Sequence, residues 1–151
     1  KNYLDQHRPD CKGLFKHTLA QWALESGWGS SKLSQEFNNF GGMKFRSEIA
    51  DKFPISGLYT DWAGEEVPYF KLASMSQWPE LYFAFIGRSV YDGWEAHKDC
   101  GHCFMKHLAK SGYCGAMRGV ATEDVPKVYA DRIDNIIESA KFQEVLQYAL
   151  K

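Results

Sequence analysis

The feature that most constrains this fold is a helical pattern that stops abruptly at two glycines. The pattern predicts a helix over about residues 11–26, with Asp10 as its N-cap. Apolar side chains recur there at the spacing of one helix face, at Leu14, Phe15, Leu19, Trp22 and Ala23. Gly27 and Gly29 then end the helix, because glycine adopts the backbone conformations of a helix terminus without steric cost.

The rest of the chain divides into further helical stretches and one turn-rich stretch. Ser30-Ser31 is expected to cap a short second helix that stops at Asn38-Asn39. Residues from about 42 to 73 contain glycines, prolines and short β-rich pieces, which predict a lobe of two or three strands. Four more helices are expected, beginning at Ser74 or Ser76, near Gly101, near Thr122 and at Lys141. The predicted architecture is one domain over residues 1–151 of the α+β class, mostly α, with a small β-hairpin lobe.

Length and composition fit this single domain and exclude several classes of protein. The chain has 151 residues, of which 44% are hydrophobic, enough to build a core. Lys and Arg (18) balance Asp and Glu (19), so no nucleic-acid-binding surface is predicted. No apolar stretch reaches the length of a membrane span. The first residues also lack the apolar segment of a signal peptide, so a mature chain or a piece of a larger protein is expected.

Three of the four cysteines lie close together in DCGHCFMKHLAKSGYC, residues 99–114, while Cys11 stands apart. Cys100 and Cys103 form a Cys-x-x-Cys pair with His102 between them, a spacing compatible with zinc. The second half of a usual zinc motif is missing, which favours disulfide bonds over buried thiols and over a zinc-dependent interaction module. The sequence thus predicts no metal and no cofactor, and it leaves all three cysteine pairings open.

Glu25 is a carboxylate in an unusual position, near the end of the predicted first helix. The helix dipole disfavours a negative charge there, and Trp22 and Trp28 flank it in the sequence. Apolar surroundings raise the pKa of a carboxyl group, which is what a general acid requires. These features point to catalysis, with an ordinary solvated glutamate as the alternative.

The sequence around Glu25, AQWALESGWGSSKLSQEFNNFGGMK at residues 20–44, resembles the signature of a known enzyme family. It is similar to the peptidoglycan-cleaving glucosaminidases of glycoside hydrolase family 73. One departure is Phe40-Gly41-Gly42, where the family has Leu-Phe-Gly. The resemblance implies a lysozyme-like fold, with a helical body and a small β-lobe across a cleft, and it implies that Glu25 is the general acid.

Later segments resemble the family more loosely. TDWAGEE implies Asp61 as the second carboxylate, with Glu65 and Glu66 as substitutes and a turn residue as the alternative. VATEDVPKVYADRIDNII implies Tyr129 as an active-site tyrosine, with core packing as the alternative. A further set is expected to contact sugar rings, although packing would explain each member equally well: Trp28, Asn39, Tyr59, Trp62 and Tyr69.

The function implied by the resemblance is that of an endo-β-N-acetylglucosaminidase that cuts the GlcNAc-β-1,4-MurNAc bond of peptidoglycan glycan strands. A muramidase that cuts the other β-1,4 bond and a non-catalytic glycan-binding module are the alternatives. Two mechanisms remain open: Asp61 activates a water, or the substrate's own N-acetyl group attacks with help from Tyr129. Such a function would place the protein in the periplasm or outside the cell. If it were a secreted toxin, an immunity or inhibitor protein would be a further partner.

Overall fold

The fold is seen in a computed structural model that describes residues 1–61 and 63–149. Within these ranges most of the regular structure is helical, and a single pair of strands forms an antiparallel hairpin. The helices are α1 (Asn2–His7), α2 (Phe15–Glu25), α3 (Lys32–Phe37), α4 (Trp78–Ile86), α5 (Gly101–Lys110), α6 (Val125–Glu138) and α7 (Ala140–Ala149). The strands are β1 (Ser56–Thr60) and β2 (Glu66–Phe70). The predicted class, α+β and mostly α with a small β-hairpin, is confirmed.

The helix ends follow the capping residues of the sequence. The Ser31 side chain accepts a hydrogen bond from the Ser34 N–H at 3.2 Å and so caps α3. Asn38 ends the same helix in the left-handed conformation, with φ of 53°. Ser74 and Gln77 form a capping box on the short 3₁₀ turn Met75–Gln77, which leads directly into α4. These predicted boundaries are confirmed.

The β-hairpin is the centre of the turn-rich segment that the sequence places at about residues 42–73. Its register runs from Ser56 opposite Phe70 to Thr60 opposite Glu66. Lys44 adds one isolated bridge to Tyr69, where a third strand would lie. Phe70 at the end of β2 is fully buried, so the hairpin is attached to a core through this end.

The described residues form two compact units, residues 1–21 with 89–151 and residues 22–88. In the first unit, α5 packs along α6, and the buried side chains include Phe104, Met105, Leu108, Ile133 and Phe142. In the second unit, the core is aromatic and aliphatic, with Phe37, Phe70, Trp78, Leu81, Tyr82 and Ile86 buried. The organisation of residues 1–151 as one catalytic domain stays a prediction.

The cysteines confirm the predicted disulfide chemistry in part. Cys100 and Cys103 form a disulfide bond at the start of α5, which takes both sulfurs away from a Cys-x-x-Cys zinc site in this structure. Cys11 is a buried thiol within the 3₁₀ segment Pro9–Leu14. Among residues 1–61 and 63–149, no helix combines the length and the apolar character that crossing a membrane needs.

Candidate active site

Glu25 is the last residue of α2, and the chain leaves the helix there through a closed hydrogen-bonded turn. The Trp28 N–H donates to the Ala23 carbonyl at 2.7 Å, and the Gly27 N–H donates to the Leu24 carbonyl at 3.3 Å. This 6→1 and 5→2 pair is the Schellman arrangement, in which the residue after the cap takes a left-handed conformation. Gly27 is that residue, with φ of 56°. Glu25 is therefore the last helical residue because Gly27, two places later, closes the end of α2.

The left-handed conformation continues through the next two residues. Trp28 has φ of 60° and Gly29 has φ of 78°. A left-handed tryptophan is unusual, because its Cβ crowds the following carbonyl. Buried Ser26 holds the turn: its Oγ donates to the Trp22 carbonyl at 2.6 Å and accepts from the Gly29 N–H at 2.8 Å. Strain of this kind is concentrated at functional sites, and the strained Trp28 carries a half-buried side chain.

Behind this turn, Trp22 belongs to an aromatic cluster in the same unit. Its ring lies edge-on to those of Trp78 and Tyr82, at centroid distances of 5.7 and 5.5 Å. Phe40 contacts Trp78 from 6.0 Å. Since residues three apart are neighbours on a helix surface, Trp22 and Glu25 share one side of α2. The half-buried Glu25 therefore lies on the same side of α2 as a member of this aromatic cluster.

Asn39 is fully buried and bonds to the backbone on both sides of the turn-rich segment. Its amide nitrogen donates to the carbonyls of Met43 and Phe70 at 2.9 and 3.0 Å, and its oxygen accepts from the Met43 N–H at 2.8 Å. Through these bonds, Asn39 links the loop after α3 to the end of β2. Direct contact of Asn39 with a sugar stays a prediction, and the burial does not favour it.

Asp61 organises the turn that joins the two strands. Its Oδ1 accepts from the backbone N–H groups of Ala63 and Glu65 at 2.9 and 3.1 Å, and its own N–H donates to the Glu65 carbonyl. Its Oδ2 lies 3.8 Å from the Lys44 Nζ. The turn role that the residue type favours is therefore present, while Glu65 and Glu66 are exposed. A catalytic role for Asp61 stays a prediction.

Two of the aromatic residues predicted to bind sugar, Tyr59 and Tyr69, contact each other on the hairpin. The rings of Tyr59 and Tyr69 meet edge to face at 5.5 Å, and Lys32 Nζ lies 6.0 Å from the centre of the Tyr59 ring. Burial, followed by the nearby Asp61 carboxylate, raises the pKa of Tyr69 and keeps its hydroxyl neutral. Tyr69 is only 6% exposed, so Tyr59 presents more of its ring to solvent. Trp62, the remaining predicted contact on this turn, lies outside the described residues.

Tyr129 lies in α6, in the other compact unit. It is buried and accepts a hydrogen bond from the Gln21 amide nitrogen at 2.9 Å, and Gln21 is itself fully buried. Its ring also contacts Tyr113 at 6.4 Å. Gln21 had no role assigned from the sequence, although it matches the family signature, and that match is the signal that could have marked it. The active-site role of Tyr129 stays a prediction.

The structure thus brings the predicted residues together in three groups. Glu25 and Trp28 share the turn that ends α2, and Tyr59, Asp61 and Tyr69 share the hairpin, all within residues 22–88. Tyr129 pairs with Gln21 in the first unit. Chemically, the first group offers a half-buried carboxyl group beside aromatic side chains, and the second offers a carboxylate near two tyrosines. These are the groups that hydrolysis of a glycosidic bond uses.

Comparison with known proteins identifies the class of enzyme as a glucosaminidase. A family model described as mannosyl-glycoprotein endo-beta-N-acetylglucosaminidase matches residues 14–142. This protein therefore belongs to the Glucosaminidase family, which confirms the predicted class of enzyme. No curated protein matches the chain significantly.

Solved structures of a bacterial enzyme share the fold. The crystal structure of a peptidoglycan hydrolase from Sphingomonas sp. A1 is 19% identical, with a TM-score of 0.69 over 97% of this chain and 90% of that chain. A crystal structure of a mutant of the same hydrolase is 21% identical, with a TM-score of 0.61 over 97% and 98% of the two chains. At this level of identity the likeness concerns the fold.

Proposed function

We propose that this protein hydrolyses β-1,4 glycosidic bonds in bacterial peptidoglycan, at the GlcNAc-MurNAc linkage, with Glu25 as the general acid. The observation that carries the proposal is the position of Glu25 within the matched family region, at the end of α2 and before a strained turn. The peptidoglycan substrate is supported by the similar structures, which are those of a peptidoglycan hydrolase.

In this mechanism the Glu25 carboxyl donates its proton to the glycosidic oxygen as the bond to the anomeric carbon breaks. Positive charge then develops on the sugar ring and needs a nucleophile on the opposite face. Asp61 would supply it by activating a water, which inverts the anomeric carbon. In the other course, the oxygen of the substrate's N-acetyl group would be the nucleophile, and the configuration of the anomeric carbon would be retained. Tyr129 would then polarise the N-acetyl group.

The bonds of Asp61 leave its Oδ2 available to a water in the first course, since only Oδ1 is hydrogen-bonded among the described residues. Its Oδ1 already accepts two backbone hydrogen bonds, and its Oδ2 faces Lys44. A base that activates water needs a carboxylate oxygen with a lone pair available to the water. Polarimetry or NMR of the first-formed product distinguishes the courses, because retention excludes direct attack by an Asp61-activated water.

The products of digestion test the proposed bond specificity. Purified peptidoglycan is digested with the wild-type protein, reduced with borohydride and analysed by mass spectrometry. Reduced GlcNAc at the new ends is the expected result. Reduced MurNAc would show a muramidase instead, and binding to the polymer without any new reducing ends would show a glycan-binding module.

The proposed substrate determines where the protein would act. Peptidoglycan lies outside the cytoplasmic membrane, so we place the protein in the periplasm or among secreted proteins. The Cys100–Cys103 disulfide suits such an oxidising compartment. If the protein acts as a toxin against other bacteria, its producer would need an immunity or inhibitor protein. Fractionation of the producing cells tests the location.

A further inference from the structure

In the first unit, histidines from two helices contact the carboxylate of Asp134 in a third helix. His17 in α2 places its Nε2 3.2 Å from the Asp134 Oδ1. His102 in α5 places its Nδ1 2.6 Å from the Asp134 Oδ2. Asp134 itself comes from α6. Two imidazoles from different parts of the chain therefore meet the two oxygens of one carboxylate.

A second carboxylate stands beside this group. Asp131 precedes Asp134 by three residues in α6, so both project from the same face of that helix. One ligand atom each from His102, Asp131 and Asp134 can be chosen so that all lie within 4.8 Å of one another. Ligand atoms about 2.1 Å from one zinc ion are about 3.4 Å apart in a tetrahedron, so small side-chain rotations would complete the shell.

The space beside Gly101 holds the ring of His17. A Cβ at Gly101 would lie 2.0 to 2.3 Å from three atoms of the His17 ring, so only glycine at the start of α5 leaves room for it. His17, His102 and Asp134 are also accessible to solvent, with side chains 22%, 38% and 36% exposed. A cation can therefore reach these side chains from solvent.

We propose that His17, His102 and Asp134 bind a divalent transition-metal ion, with Zn²⁺ as the preferred ion. Two imidazole nitrogens with carboxylate oxygen form a donor set suited to zinc, whereas Mg²⁺ and Ca²⁺ select oxygen alone. Asp131 is the fourth ligand once it releases Lys127, whose Nζ lies 2.6 Å from the Asp131 Oδ2. This site differs from the zinc motif considered in the sequence, because it uses neither Cys100 nor Cys103.

A bound ion would join three segments of the first unit that are far apart in the chain. It would link the beginning of α2 to α5 and α6, the pair of helices that forms much of this unit's packing. Its role would be structural and separate from the proposed acid chemistry of Glu25. Metal binding and glycosidase activity are thus tested independently.

Zinc binding to the tag-free protein, stripped with a chelator, tests the site. Isothermal titration with ZnCl₂ is expected to show one ion per chain, and saturating zinc is expected to raise the Tm by about 5 to 10 °C at 100 times Kd. Mg²⁺ at the same concentration is expected to leave the Tm unchanged. A protein that shows neither heat of binding nor a shift in Tm with zinc would overturn the proposal.

Variants locate the ion. Asp134→Asn keeps the side-chain shape but removes the charge, and it is expected to weaken zinc binding at least about tenfold. Asp131→Asn is expected to weaken zinc binding less, because Asp131 must release Lys127 before it can bind the ion. The matched control is His97→Gln, in the separate histidine pair His97 and His107, whose rings lie 5.1 Å apart. Binding that survives Asp134→Asn and disappears in His97→Gln would place the ion at the other pair and refute this site.

A crystallographic measurement covers the case in which Asp134→Asn fails to fold. Anomalous difference maps from zinc-soaked wild-type crystals, recorded at the zinc edge, are expected to show a peak between His17, His102 and Asp134. A strong peak elsewhere with none at this position would contradict the proposal.

Discussion

At the scale of single residues, the turn after Glu25 rests on backbone conformations that few residues adopt. Gly27, Trp28 and Gly29 all have positive φ, and Gly27 closes the hydrogen-bonded end of α2. The position of Glu25 therefore depends on the residue two places after it.

Gly27→Ala tests that dependence. An alanine at φ of 56° places its Cβ in the strained left-handed region and 3.1 Å from the Ser30 Oγ. We expect a loss of about 1–2 kcal/mol in the free energy of unfolding, measured by urea titration. The control is Gly115→Ala, where an added Cβ meets nothing within 4 Å and φ is not positive. Equal effects of the two substitutions would show that the turn is not strained as described.

Asn39→Ala tests the contribution of the Asn39 hydrogen bonds to the stability of the second unit. The substitution leaves the Met43 N–H and the carbonyls of Met43 and Phe70 without these side-chain bonds in a buried region. We expect destabilisation of about 2–4 kcal/mol, because buried polar groups without partners are costly. Thermal and urea unfolding measure it, with the exposed Asn135→Ala as control. If Asn39→Ala is as stable as this control but fails to bind glycan, the residue contacts substrate after all.

Candidate site residues could be predicted from the sequence more readily than the burial and contacts of their side chains. The signature marks Glu25 and Asn39 equally, yet Glu25 is half-buried at a helix end and Asn39 is enclosed by backbone partners. Burial depends on contacts between segments such as Asn39 and Phe70, 31 positions apart, which no local pattern encodes. The same holds for the bond between Gln21 and Tyr129.

At the scale of elements, helices with clear caps or apolar spacing could be predicted, including the short α3, whereas α1, which has no side-chain cap, could not. The segment Gly101–Lys110 was expected as a helix and forms α5. The predicted first helix instead begins as the 3₁₀ segment Pro9–Leu14 and becomes α-helical at Phe15. Helix α1 was missed, because six residues before a proline are too few to show a period. The β-lobe was located, but only the pairing of β1 with β2 could show that Lys44 contributes a bridge rather than a strand.

The 3₁₀ segment Pro9–Leu14 carries a pH-dependent contact. Asp10 pairs with Arg8 at 3.3 Å and with Lys98 at 2.5 Å, and these hydrogen bonds, Arg8 first, hold the pKa of the Asp10 carboxyl well below its usual range. A depressed pKa adds stability above the unfolded-state pKa, about 4, and this contribution is lost as the pH falls toward the folded-state pKa.

Asp10→Asn is therefore expected to lower the free energy of unfolding slightly at pH 7. The difference from wild type should stay constant down to about pH 5 and disappear on further acidification. It should be small, since the carboxylate is 44% exposed and solvent screens the pairs. Urea titrations at pH 3, 5 and 7 measure it, with exposed Asp51→Asn as control. A difference that grows toward low pH would contradict the sign of the pKa shift.

At the scale of the whole molecule, the chain is a member of the Glucosaminidase family, and its proposed acid, Glu25, is the last residue of α2. The family could be recognised from the sequence because its most specific motif is local, within residues 20–44. The second catalytic group could not be chosen with the same assurance, since it depends on how distant segments meet. Glu25 is therefore the residue on which the proposed activity depends most.

The rate of peptidoglycan hydrolysis by Glu25→Gln tests this central claim most directly. The amide keeps the shape of the side chain but cannot donate a proton as an acid, so we expect the rate of reducing-end release to fall at least about 100-fold. Unfolding midpoint and sedimentation with insoluble peptidoglycan should match the wild type, and Glu36→Gln, an exposed glutamate of α3, should remain fully active. A folded Glu25→Gln protein that releases reducing ends at the wild-type rate would contradict the account.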